Sequence, residues 1–74
     1  MTTQEKKQLI QGIQPIEYFK LTDLCNGCDW QSDKQLNELH MQVNYGLAHR
    51  KAFVLCCIEK GLVTHEQVKQ ALNR

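Results

Sequence analysis

Apolar positions recur with helical spacing along much of the chain, most densely between Asp33 and Lys60. At about 100° per residue, Leu36, Leu39, Val43, Leu47, Val54, Cys57 and Ile58 fall within roughly 60° of one meridian, which marks a face turned toward a core. Met41, Tyr45, Ala48, Ala52 and Cys56 cluster near the opposite meridian, where a simple surface helix would be polar. The pattern predicts one long helix over residues 33–60 with two apolar faces. Gly46 is its weak point, at about 1 kcal/mol relative to Ala. A break there would fold the segment into a helical hairpin. The inner stripe keeps its phase across Gly46, so the expectation is a continuous helix, bent at most, with Gly46 a place where another backbone could approach closely.

Shorter elements flank this helix. Thr2 and Glu5 have the spacing of a capping box, and a helix from about Thr3 to Gln11 follows, with Leu9, Ile10 and Ile13 as a small apolar edge and Gly12 as its stop. Pro15 and Glu17 suit the start of a second short helix over 16–24, from which Ile16, Phe19, Leu21 and Leu24 should pack onto the long one; the large apolar residues there also fit a short extended segment. Asn26-Gly27 predicts a turn over 25–32. Ser32 and Gln35 form a second capping box at the start of the long helix. Gly61 is a left-handed stop, with Lys60 at the negative end of the helix dipole. Thr64 and Gln67 make a third capping box, Val63 and Val68 sit at the staple positions around it, and the resulting helix over 64–73 should fold back on the second half of the long one.

The whole reads as a single all-α domain of three to four helices built around one long central helix. Residues 1–14 form an N-terminal helix and end, 15–32 a packing segment with a Cys-containing turn, 33–60 the central helix and 64–73 a short capped helix. At 74 residues such a domain buries only about 60% of its unfolded surface, a size at which a metal, disulfides or a second copy often supplement the core.

Charge narrows the partners. Nine Lys and Arg against eight Asp and Glu leave +1, which does not supply the cationic surface that nucleic-acid binding draws on. No apolar run approaches 18 residues and the first residues are polar, so neither a membrane span nor a signal peptide is expected. A cytoplasmic location follows, where four cysteines are expected as thiols or metal ligands rather than disulfides.

Cys25-Asn26-Gly27-Cys28 is the local motif with chemistry attached. Two thiolates at this spacing can hold zinc at about 2.3 Å or form a redox-active disulfide, the latter with a depressed thiol pKa at Cys25 or Cys28. A zinc site needs further ligands, of which His40 is the nearest candidate, then His49, Cys56, Cys57 and His65. His40 and His49 lie on opposite sides of a helix and roughly 13 Å apart along it, unlike the histidines of a zinc finger. Cys56 and Cys57 point about 100° apart and read as small hydrophobes. His40 also suits a hydrogen-bonded histidine at the core boundary. Trp30 fits either the core or an exposed anchor for a partner. His49, Arg50 and Lys51 form the one basic cluster, a solvated face or a complement to an acidic surface.

No nucleophile-base-carboxylate signature or glycine-rich phosphate loop is present, so catalysis is not expected. The leading expectation is a non-enzymatic regulator, inhibitor or adaptor that binds another protein, or itself as a homodimer. Its contact residues would be Met41, Tyr45, Ala48, Ala52 and Cys56, with Trp30, Arg50 and Lys51. The structural alternative is that the rest of the chain covers both faces. A module stabilised by one structural zinc at Cys25, Cys28 and His40, and a thiol-redox or metal-sensing protein, are the other readings.

Overall fold

Length decides how the central segment folds. An unbroken helix over 33–60 would be about 42 Å long at 1.5 Å per residue, whereas the molecule measures 28 × 23 × 19 Å along its principal axes. In the computed structural model, which describes residues 3–73, the segment is divided. The described residues form helices α1 (Thr3–Gln11), α2 (Glu17–Asn26), α3 (Lys34–Met41), α4 (Leu47–Glu59) and α5 (His65–Ala71), with a 3₁₀ turn at Val43–Tyr45 and no strand. The all-α class is as expected, with α4 as the central helix against which α2, α3 and the 3₁₀ turn pack.

The break corrects the expectation of one continuous helix. Gln42 ends α3 at φ −103° and ψ 0°, the next three residues tighten into the 3₁₀ turn, and Gly46 is extended at φ 162° and ψ 178°. Arg50 Nη2 donates to Asn44 Oδ1 at 3.0 Å and ties the turn to the first part of α4. Gly46 is not making room for a neighbour, because a Cβ added there would meet nothing within 4 Å. Phase across Gly46 is a sound signal for a shared core but not for continuity: Leu36 of α3, Val43 of the 3₁₀ turn, and Val54, Cys57 and Ile58 of α4 all bury, with α3 and α4 folded against each other. Leu47 departs from the stripe and remains 38% exposed.

The core lies over the second half of α4. Phe53, Val54, Cys57 and Ile58 are buried there together with Ile13, Tyr18, Leu21, Cys25, Leu36, Val43, Val63, Val68 and Leu72. In α2 the buried positions are Tyr18, Leu21, Thr22 and Cys25, an i, i+3, i+4, i+7 stripe. Thr22 is the one buried polar side chain described, and its hydroxyl donates to the Tyr18 carbonyl at 2.6 Å. This phase turns Ile16 and Phe19 outward, contrary to expectation, while Leu24 stays partly buried against the core.

Helix ends account for much of the remaining order. Asp33, not Ser32, caps α3: its carboxylate accepts from Leu36 N at 3.0 Å and pairs with Lys60 Nζ at 2.9 Å. A carboxylate serves both a helix N-terminus and an ammonium group, which a serine hydroxyl cannot match. The Lys60 hydrogen bond, then the Leu36 amide, hold the Asp33 carboxyl below the usual carboxylate range. Ser32 instead turns to Asp29. At the end of α4, Leu62 N reaches Cys57 O and Gly61 N reaches Ile58 O, both at 3.1 Å, with Gly61 at φ 77°. These are the two bonds of a Schellman stop. The Thr64–Gln67 capping box forms as expected, with bonds of 3.1 and 2.9 Å, and Val63 and Val68 are both buried beside it. α5 does fold back, but it packs chiefly on α2. The Thr2–Glu5 box lies partly outside the described residues.

Gly61→Ala isolates the cost of the left-handed stop, since the added Cβ would have open space around it. It should destabilise the fold by about 1–2 kcal/mol, which urea unfolding would measure.

Candidate functional site

Two places combine reactive or exposed side chains. The first is the junction between the end of α2 and the buried face of α4. α2 continues through Cys25 and Asn26, so the turn expected from residue 25 begins at Gly27, whose N–H reaches Leu24 O at 3.2 Å. Extending the helix by this amount places Cys25 fully inside the core. Cys28 follows in the turn, half-buried, with its thiol directed at Cys25 O (2.8 Å) and its sulfur 3.9 Å from that of Cys57. The motif's partner in space is therefore Cys57, a residue 29 positions beyond Cys28.

All four cysteines are free. Burial, then the adjacent Cys57, push the Cys28 thiol up to about 11. The hydrogen bond with Cys25, followed by burial, holds Cys57 far above the usual thiol range, and burial raises Cys56. The depressed pKa that the redox reading expected is thus reversed at Cys28, because no cation lies close enough to outweigh desolvation there.

His40 is placed elsewhere than with Cys25 and Cys28. Its Nε2 lies 2.9 Å from Asn26 Oδ1, and its ring stacks on Trp30 with centroids 3.8 Å apart and planes 17° from parallel. Both rings meet Phe53 edge-on, at 5.3 Å for His40 and 6.3 Å for Trp30. Trp30 Nε1–H donates to Asn26 O at 3.3 Å, so one asparagine anchors both rings. Trp30 consequently closes the edge of the core, half-buried. Among the described residues, no three His, Cys, Asp or Glu side chains are arranged to hold a metal ion. His65 Nε2 is buried without a hydrogen-bond partner among the described residues.

The second is a set of exposed apolar side chains. Ile16 and Met41 are each 73% exposed, Tyr45 75% and Phe19 45%. The Arg50 guanidinium lies 4.6 Å over the Phe19 ring, and Leu47 sits one turn before Arg50 on the same side of α4. Tyr45 meets His49 edge-on at 5.6 Å, and the Lys51 ammonium lies 5.9 Å from the Tyr18 ring. The anticipated outer stripe is not a single helix face: Met41 ends α3, Tyr45 belongs to the 3₁₀ turn, and Ala48, Ala52 and Cys56 run along α4. Ala48 and Ala52 are exposed and Cys56 is half-buried.

No family model, curated protein or solved structure matches the chain. Function must therefore be argued from these side chains. Sequence reasoning named Cys57 among the further candidate ligands beside Cys25 and Cys28 but placed His40 nearest, and it missed Phe53 as a core residue and Ile16 and Phe19 as surface residues. The last two were recoverable from the Tyr18, Leu21, Thr22 and Cys25 stripe, which fixes the outward phase of α2. The contact between Cys28 and Cys57 carries no local signal, since it is made by tertiary packing.

His40→Ala removes the stack on Trp30 and the contact with Asn26. It should cost about 1–2 kcal/mol in chemical unfolding and shift Trp30 fluorescence to longer wavelength as the indole becomes more hydrated.

Proposed function

We propose that this protein is a non-enzymatic protein-binding module whose contact surface is formed by Ile16, Phe19, Leu47, Met41 and Tyr45, with Arg50 and Lys51 among them. The exposure of Ile16, Met41 and Tyr45 carries this reading. Single exposed apolar residues are ordinary, but Ile16, Phe19, Met41, Tyr45 and Leu47, with Arg50 over the Phe19 ring and His49 against Tyr45, have the make-up of an interface, in which aromatic residues, Met and Arg are enriched.

The basic residues also bear on what the partner is. In a two-fold symmetric homodimer whose axis passed near Arg50 and Lys51, these groups of the two copies would approach each other, a like-charge arrangement that costs affinity. A different protein presenting an apolar ridge flanked by Asp or Glu meets no such penalty. The proposed partner is therefore acidic at this contact, and the chain acts as an adaptor, inhibitor or regulator of it. No helix among the described residues is long and apolar enough to cross a membrane, so the exposed apolar groups are not part of a helical span.

Light scattering should find a monomer. In quantitative affinity capture from host extract, a partner retained by the wild-type chain should be lost with Ile16→Glu or Tyr45→Glu, variants that should leave the circular-dichroism melt unchanged, and its retention should weaken with added salt. A dimer disrupted by the same substitutions would overturn the heterologous partner. Retention of every captured protein by both variants would overturn the surface itself.

A further inference from the structure

Cys28 and Cys57 bring the turn after α2 into sulfur contact with the buried face of α4, at 3.9 Å. They differ in access. Cys57 is fully buried, whereas Cys28 is half-buried and lines an open cleft with Leu24, Gly27, Leu62 and Gln67. A small solute can therefore reach one thiol of the pair and not the other. We propose that Cys28 and Cys57 form a thiol–disulfide exchange site, at which a low-molecular-weight disulfide such as oxidised glutathione converts them into a reversible cross-link between the end of α2 and α4.

The exchange has two steps. Cys28 loses its proton to solvent and its thiolate attacks one sulfur of the reagent; the reagent's S–S bond breaks, a mixed disulfide forms on Cys28, and the departing thiolate takes up a proton. Cys57 then loses its proton and attacks the Cys28 sulfur already beside it, breaking the mixed disulfide and releasing the second small thiol. Two protein thiols are oxidised and one small disulfide is reduced to two thiols. The order follows from burial, since Cys57 can attack only a sulfur delivered to it. Cys25 is not the first attacker, because it lies wholly within the core.

The thiol's environment sets the rate. With Cys28 pushed up to about 11 by burial and its Cys57 neighbour, its thiolate fraction at neutral pH is on the order of one in ten thousand and rises about tenfold per pH unit. The site is accordingly a slow latch that records a sustained change in disulfide poise, not a rapid peroxide sensor. Its closure removes freedom from the unfolded chain and holds α2 on α4.

The test is to incubate the full chain with oxidised glutathione at pH 7.5 and 8.5, then measure intact mass, non-reducing peptide maps and thermal midpoint. The expected product has lost two hydrogens, carries a Cys28–Cys57 linked peptide, forms roughly tenfold faster at the higher pH, melts several degrees higher and reverts with dithiothreitol. Cys28→Ser should abolish it and Cys56→Ser should leave it intact; Cys28 is not fully buried, so this comparison does not depend on a Cys57 variant folding. A Cys25–Cys28 link, glutathione left as a mixed disulfide on Cys28 or Cys56, or no oxidation at either pH would overturn the proposal.

Discussion

Burial of one face of α4 is the constraint on which the rest of the structure depends. Phe53, Val54, Cys57 and Ile58 are removed from water at once, and complete burial of a side chain such as Phe, Val or Ile is worth about 1.5–3 kcal/mol. No single neighbouring helix covers that face. α2 supplies Tyr18, Leu21 and Cys25, α3 supplies Leu36, the 3₁₀ turn supplies Val43, and the ends of the chain add Ile13, Val68 and Leu72. The break at residues 42–46 follows from this requirement. A straight rod would carry Leu36 and Val43 away from Val54 and Ile58, while a hairpin brings all four to one core.

Polar interactions then fasten the elements that hydrophobic burial has gathered. Asp33 caps the start of α3 and binds Lys60 at the end of α4, so one carboxylate closes the hairpin at its open end. The Schellman stop at Gly61 and the Thr64 capping box turn the chain within a few residues and deliver Val63 and Val68 to the core. Asn26 performs a comparable task at the aromatic corner, where it anchors both Trp30 and His40. The same compactness gives the chemical character of the thiols: drawn into the core without a nearby cation, Cys28 and Cys57 are poor nucleophiles at neutral pH.

Features set by local chemistry were legible in the sequence. The bounds of α1, the stop at Gly61, the capping box at Thr64 and the staple of Val63 with Val68 each depend on residues within a few positions of one another. Features decided by competition between distant segments were not. Ser32 and Asp33 are both good caps, and the choice fell to Asp33 because Lys60, far along the chain, rewards a carboxylate. The apolar phase from Leu36 to Ile58 could not distinguish a rod from a hairpin, since both turn the stripe to a core. Ile16 and Phe19 were assigned inward from their size alone, and the periodic stripe of α2 overrules that assignment. At the candidate sites, exposure of Met41 and Tyr45 was legible in outline, whereas the choice of Cys57 over His40 as the neighbour of Cys28 was not.

The proposed function rests on what the hairpin leaves outside. Folding α3 back buries most of the inner stripe and leaves Met41, Tyr45 and Leu47 exposed at the bend. The hairpin is therefore the central claim, and native-state amide hydrogen exchange tests it most directly. With α4 beginning after Gly46, the amides of Gly46 to His49 have no intrahelical acceptor and should exchange rapidly, while those of Val54 to Ile58 should exchange only with global unfolding. Unbroken protection from Leu36 through Ile58 would contradict it.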